Sequence, residues 1–222
     1  LKVLHIISGL KSGGAEGVLY RLILNDNKNE HYVISLTNEG FYGHLLKKNN
    51  IYIHCLNIKK NLSLIFYFFK LVFLIKKINP NIVQCWMYHG DVFGGLAAKV
   101  IGKKKIFWNL RNSDLNIQWS NKFTIFLAKF SSFLSYLIPY KIISCSNNST
   151  VTHNHIGYCG KKILLIDNGF DKAKFKYSLN LAKYWKSKIK IKSQSIVFGF
   201  AARWSDQKDF ETLFKAFSFF KK

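Results

Sequence analysis

The residues best suited to chemistry lie in short loops between apolar β-branched runs and amphipathic stretches. Arg203 and Lys208 follow the run Phe198-Gly199-Phe200-Ala201-Ala202 and flank the loop into the next helical pattern. Two cations beside a helix N-terminus can clamp a diphosphate, each charge-assisted bond contributing about 1.5–3 kcal/mol. With 34 Lys and Arg in the chain, such a pair also arises by chance. Gly13-Gly14, followed by Ala15-Glu16, fits neither G-x-G-x-x-G nor G-x-x-x-x-G-K-[ST]. It reads either as a tight turn or as a loop whose N–H groups meet an anion or hydroxyl. His89 follows the run ending at Trp86, and Arg111-Asn112-Ser113-Asp114 follows the run ending at Leu110. His89 is either a solvated loop histidine or a ligand-facing group, and Asp114 either a general base or an N-cap. His153, His155 and Cys159 are metal-ligand types. Two-residue spacing puts the histidines on different helix faces with no fourth ligand near, which predicts ordinary helix-surface histidines and no metal site.

These groups need a scaffold that brings loop ends together. Short apolar runs predict strands at 3–7, 32–36, 51–55, 82–86, 105–110, 141–145 and 162–166. Amphipathic patterns predict helices at 15–24, 42–48, 62–78, 91–101, 122–137 and 147–156, with Asn79-Pro80 closing the third. Strands alternating with helices at this spacing imply βαβ units, hence a doubly wound, Rossmann-like α/β domain with a parallel sheet, over 1–170. Loops at the carboxyl ends of such strands share one edge, where open α/β proteins bind ligands. A lysine-rich linker is expected at 171–194, then a new strand at 196–201 and a helix at 209–220. One strand and one helix cannot close a core, so 195–222 reads as the incomplete start of a second domain.

Composition bounds the rest. The 222 residues are 49% hydrophobic and 16% aromatic, which excludes intrinsic disorder. The net charge is +23. Nucleic acid is not the expected partner, because no zinc finger, RNP-type aromatic motif or helix-turn-helix accompanies that charge. An anionic membrane surface is a second candidate partner, with Lys70, Lys76, Lys77 and 103–105 as its cations and aromatics of 66–69 and 123–136 as inserting groups. The apolar segment 62–75 is interrupted by Lys70 and falls short of the roughly 20 residues that span a bilayer. No signal-peptide pattern opens the sequence, and the four cysteines form no C-x-x-C pair. A cytoplasmic protein, associated at most peripherally with the inner membrane face, is expected.

In order, these segments resemble the family 4 retaining glycosyltransferases, whose GT-B architecture has two Rossmann-like domains. Val3-Leu4-His5-Ile6-Ile7-Ser8-Gly9-Leu10 through Gly13-Gly14-Ala15-Glu16 is similar to that family's first strand and glycine loop. Ile82 to Asp91 with Gly94-Gly95-Leu96-Ala97-Ala98 is similar to its fourth βα unit, and Ile142 to Ser146 and Ile166 to Asp171 to the close of its N-terminal domain. The segment 198–209 resembles the opening of its donor-binding domain. The resemblance implies transfer of a sugar from a nucleotide sugar to a glycan or lipid-linked acceptor with retention, in bacterial surface polysaccharide synthesis, without a required metal or other cofactor. It further implies that Arg203 and Lys208 hold the donor diphosphate, while Gly13, Gly14 and Glu16 form a binding loop. His89, Asp114 and Asn112 would orient acceptor or sugar. Asn112 stands where members carry a histidine, and asparagine can hydrogen-bond a hydroxyl but cannot take a proton. The family's E-x7-E pair is not among these residues, so the 222-residue chain is expected to be an inactive fragment of a larger enzyme. Other classes compatible with the sequence are a non-catalytic membrane-surface module and a GT-B nucleotide-sugar epimerase.

Overall fold

The structure is a computed structural model that describes residues 1–58, 64–113, 115, 121–173, 175–192, 195–202 and 204–220. The chain divides into two units, Leu1–Asn168 and Gly169–Lys222.

In the first unit every β-branched run forms a strand: β1 Lys2–Ile7, β2 Glu30–Ser35, β3 Tyr52–Cys55, β4 Ile82–Trp86, β5 Ile106–Leu110, β6 Lys141–Ser144 and β7 Ile163–Leu165. They form one sheet in the order β3-β2-β1-β4-β5-β6-β7, all neighbours parallel. The crossover between β1 and β4 is the switch point of a doubly wound sheet. Alternate residues face opposite layers: Leu4, Ile6, Val83, Cys85, Trp108 and Ile142 enter one core, and Ile7, Val33 and Trp86 enter a smaller one.

The covering helices are α1 Gly14–Asn25, α2 Gly40–Lys48, α3 Leu64–Ile78, α4 Met87–His89, α5 Gly95–Val100, α6 Lys122–Leu134 and α7 Asn147–Ile156. Between α4 and α5 lies a π-helical turn, Gly90–Gly94. Helical structure therefore begins directly after β4, and His89, expected in a loop, sits on the first helical turn. Two features allow this. Met87 takes a left-handed φ of 62°, turning strand into helix without a loop. Gly90 lets the helix approach β1 closely, since a Cβ there would lie 2.8 Å from the Ile6 carbonyl oxygen.

The second unit holds α8 Leu179–Lys188 and α9 Phe210–Phe220, neither with a buried residue. The expected strand at 196–201 does not form: the segment has no ladder partner among the described residues. Strand structure requires hydrogen bonding to another strand, which sequence preference alone cannot supply. Its side chains nonetheless meet α9 through edge-on ring contacts, Phe198 with Phe217 and Phe220 and Phe200 with Phe210. No helix among the described residues is long and apolar enough to cross a membrane.

Candidate functional site

The carboxyl edge of the sheet gathers the loops after β1, β4, β5 and β6. After β1, Gly13 is the N-cap of α1 in extended geometry and its carbonyl accepts from the Gly17 N–H at 3.0 Å. The Glu16 carboxyl folds back against Gly13, where a Cβ would lie 2.3 Å from Glu16 Oε2. It also accepts from its own backbone N–H, and partial burial raises its pKa. The helix start therefore already faces an acid, while the position of a Cβ on Gly14 faces open space.

After β4, α4 sends Tyr88 inward and leaves His89 exposed, with the His89 ring 5.9 Å from that of Phe123. Loss of solvation around His89 lowers its pKa, favouring neutral imidazole. The Tyr88 hydroxyl lies 2.7 Å from His153 Nε2, and His153 Nδ1 lies 2.7 Å from the Ser149 carbonyl. The carbonyl can only accept, so Nδ1 carries the hydrogen and Nε2 accepts from Tyr88. His153, expected on the helix surface, is thus fully buried, whereas His155 is exposed. The reason is that α7 is a polar helix that packs through Ser149 and His153 rather than through an apolar stripe.

After β5, the chain is tied to α7: Ser149 Oγ donates to the Asn112 carbonyl at 2.9 Å and Thr152 Oγ1 to that of Ser113 at 3.0 Å. Asn112 is exposed at the edge and interacts with the Tyr88 hydroxyl. No hydrogen bond among the described residues joins Gly13, Gly14 or Glu16 to His89 or Asn112; what they share is the edge. Asp114 and Arg203 lie outside the described residues. Lys208, exposed, ends a 3-10 turn (Asp206–Lys208) before α9, whose first turn is capped by Asp209 Oδ1 accepting from the Thr212 N–H. No group of three His, Cys, Asp or Glu that could hold a metal occurs among the described residues.

Two further ionisable groups stand at this edge. Asp91, in the π-turn, is fully buried; its carboxyl oxygens lack a hydrogen bond of ordinary geometry among the described residues, and the backbone of Asn109, turned toward the carboxyl, works against the effect of burial. Burial pushes it well above the usual carboxylate range, toward the protonated acid. Arg111 stacks its guanidinium 4.7 Å from the Trp86 ring centre and donates to Asn168 Oδ1 at 2.7 Å and Asn109 Oδ1 at 3.0 Å. A signal for Asp91 was present: an acid enclosed in Gly90-Asp91-Val92-Phe93-Gly94-Gly95-Leu96 is flanked by residues that pack.

A chain of rings runs from Trp86 to the opposite, amino edge. Trp86 Nε1 donates to His5 Nδ1 at 3.3 Å, His5 Nε2 meets His31 Nδ1 at 3.0 Å, and His31 Nε2 lies 3.3 Å from Asp26 Oδ2. Indole can only donate, so His5 carries its hydrogen on Nε2 and His31 on Nε2. Burial holds the pKa of His5 down to about 3, and that of His31 is also lowered.

No protein-family model matches the chain, and no curated protein sequence matches it. Solved structures do. HepE of Anabaena in complex with UDP is 17% identical with a TM-score of 0.72, over 86% of this chain and 50% of that one. A glycosyltransferase from Rickettsia africae gives 19% and 0.59 over 87% and 50%, and a UDP-N-acetylglucosamine 2-epimerase 18% and 0.55 over 76% and 48%. The fold is the Rossmann-like α/β unit found in the N-terminal domains of GT-B glycosyltransferases. The chain spans about half the length of the solved proteins it matches.

Proposed function

We propose that the chain provides the acceptor-side unit and the start of the donor-binding unit of a glycosyltransferase that moves a sugar from a nucleotide sugar to a glycan or lipid-linked acceptor with retention. The observation that carries this reading is the seven-stranded parallel sheet with its loops converging beyond β1, β4 and β5. The likeness to HepE, solved with UDP and with UDP-glucose, points the same way. In the proposed reaction the bond from the sugar anomeric carbon to the diphosphate oxygen breaks and a bond to the acceptor oxygen forms on the same face. The acceptor proton leaves with the departing phosphate. Arg203 and Lys208 stabilise the charge that develops on the diphosphate, in place of a metal. Asn112, His89 and Asp114 orient the acceptor, and the Gly13-Gly14 loop lets backbone N–H groups approach it.

The test is incubation of this polypeptide, and of the full product of its coding region, with a panel of nucleotide sugars and acceptors. Transfer by the full product with unchanged anomeric configuration is expected; inversion, or no transfer with any donor, contradicts the reading. Lys208→Ala should weaken donor binding about 10–100-fold, the equivalent of one charged bond. Epimerisation of the nucleotide sugar without acceptor would favour the second reading, which the epimerase likeness keeps open.

We further propose that the reaction occurs at an anionic membrane surface. From 40 to 166 the sequence holds two acids, Asp91 and Asp114. Over the same stretch, α3 exposes Phe66, Phe69 and Phe73, and α6 exposes Phe126, Phe130 and Phe133 beside Lys122 and Lys129. Salt-sensitive flotation with anionic but not neutral liposomes is expected, lost in Phe126→Ser/Phe130→Ser; equal flotation with neutral vesicles would contradict it.

A further inference from the structure

We propose that a lysine-lined hollow at the C-terminal ends of α5 and α6 is a docking site for the phosphate headgroup of an anionic membrane lipid. The inference deepens the membrane reading and rests on it for the bilayer; it does not depend on the transferase reading.

The hollow holds about 510 Å³ and is lined by Lys99, Lys104, Lys141 and Lys162, together with the exposed Leu137 and Tyr140. Lys99 comes from α5, Lys104 precedes β5, Lys141 opens β6 and Lys162 precedes β7, so the fold rather than a lysine run assembles the four. Like charges brought together repel one another. Lys162 records this: desolvation is the chief cause of its lowered pKa, the field of Lys99 adds to it, and nearby Cys159 works the other way. No ion pair among the described residues involves any of the four. Between 92 and 166 the sequence holds one acid, Asp114, which comes after the end of β5, whereas the hollow lies where β5 and β6 begin. Two nearby lysines are committed to the fold. Lys103 Nζ donates to Asn79 Oδ1 at 2.7 Å and to the Pro80 carbonyl at 2.8 Å. Lys162 Nζ donates to the carbonyls of Ser135 at 3.0 Å and Tyr136 at 2.7 Å, at the C-terminal end of α6. Lys99, Lys104 and Lys141 remain to meet an anion from outside the chain.

An amphiphile fits better than a free anion, because the charge adjoins an apolar stripe. Phe123, Phe126, Phe130, Phe133 and Leu137 recur at intervals of three and four residues down one face of α6 and the turn after it, all of them exposed. The stripe begins beside His89, whose ring is 5.9 Å from that of Phe123, and ends at Leu137 in the lining of the hollow. Tyr140, its ring held edge-on by Phe107, adds an aromatic side chain with a polar tip, the type that settles at headgroup level. A phosphate in the hollow therefore leaves its acyl chains against the stripe, and the bilayer supplies the counterion that the chain does not. Docked in this way, α6 lies along the surface and the His89 end of the stripe is held at the same surface.

The experiment measures flotation of the 222-residue chain with phosphatidylglycerol-containing and with neutral phosphatidylcholine vesicles, in about 0.15 M salt to screen the diffuse charge. Lys99→Gln/Lys141→Gln removes two charges from the hollow and keeps Lys162, while Lys183→Gln/Lys186→Gln removes two from α8. Affinity for the anionic vesicles is expected to fall about 30-fold in the hollow variant, the sum of two well-placed cations, and at most about threefold in the α8 variant. Equal losses in the two variants would overturn the proposal by assigning the binding to net charge. A second readout needs no variant: monomeric dihexanoyl phosphatidylglycerol is titrated into the 15N-labelled parent chain. Saturable shifts of the Tyr140 and Lys141 amides are expected, and amides that stay unmoved would overturn the site. Flotation lost in Phe126→Ser/Phe130→Ser but intact in Lys99→Gln/Lys141→Gln would leave the membrane reading standing without this site. Shifts with the monomeric lipid in a chain that floats with neither vesicle would remove the membrane reading and keep the headgroup site.

Discussion

At the amino edge of the sheet the ionisable groups answer one another: Asp26 faces His31, His31 faces His5, and Tyr32 donates to Glu30. At the carboxyl edge, among the described residues, the hydrogen bonds of Arg111 end on the amide oxygens of Asn168 and Asn109, and the buried Asp91 carboxyl is met by no charged side chain at ion-pair distance. An open hollow of about 600 Å³ lies at the amino edge, lined by Asp26, Glu30, His31, Tyr32 and Tyr52 among others. A hollow of that size is itself a candidate binding site. Electrostatics argues otherwise, because polar groups that satisfy one another stabilise the fold, whereas preorganised groups left unsatisfied mark the place where a ligand completes the structure.

The comparison can be broken in several ways. Trp86 joins the two edges, with His5 on its indole nitrogen and Arg111 on its face. Trp86→Ala should therefore cost about 3–5 kcal/mol in urea unfolding. A loss below about 1 kcal/mol would mean that the edges are not coupled through this ring.

The next largest effect is in pH. Folded His5 titrates at about 3 against an ordinary 6.5, so below 6.5 the unfolded chain takes up a proton that the folded chain refuses. Stability is fully present above 6.5 and declines as pH falls toward about 3, with a slope approaching about 1.4 kcal/mol per pH unit. Urea midpoints between pH 7 and 5 measure it, and a flat profile contradicts a buried neutral His5.

Asp91 carries the opposite sign. Its folded pKa is raised, so its contribution is complete below the unfolded value of 3.8 and is lost as pH rises through the folded value. Asp91→Asn should then be more stable than the parent at pH 8, with the gain shrinking toward pH 4. A destabilised Asp91→Asn at pH 8 would give the carboxylate a charged partner and sharpen the comparison in the other direction. The smallest effect belongs to the second unit, where α9 has no buried residue. Phe214→Ser should leave the main unfolding transition unchanged within error.

The sheet was legible because a parallel strand, covered on both faces, reads as an uninterrupted β-branched run. Ile82–Trp86 and Asn147–Ile156 have the boundaries expected from the sequence. The run 196–201 has the same texture and forms no strand, since pairing depends on what lies beside it. His153 and Asp91 escaped for a related reason. Burial of a polar residue is decided by the neighbouring elements, here α6, β6 and β7 packed on α7 and the rings of Tyr88 and Tyr158 against His153, and leaves no periodic trace in sequence. The loops carrying Gly13-Gly14 and Asn112, and the helical turn carrying His89, follow β1, β5 and β4 and so share one edge, which the alternation of strands and helices is enough to imply.

The central claim is that ligand chemistry belongs to the carboxyl edge and fold maintenance to the amino edge. It is tested most directly by sugar transfer in the proposed transferase carrying Asn112→Ala or Asp26→Asn. The account predicts that kcat/KM falls about tenfold in Asn112→Ala, the equivalent of losing one hydrogen bond to the acceptor, and stays within about twofold in Asp26→Asn. Equal losses in the two variants, or a loss confined to Asp26→Asn, would contradict it.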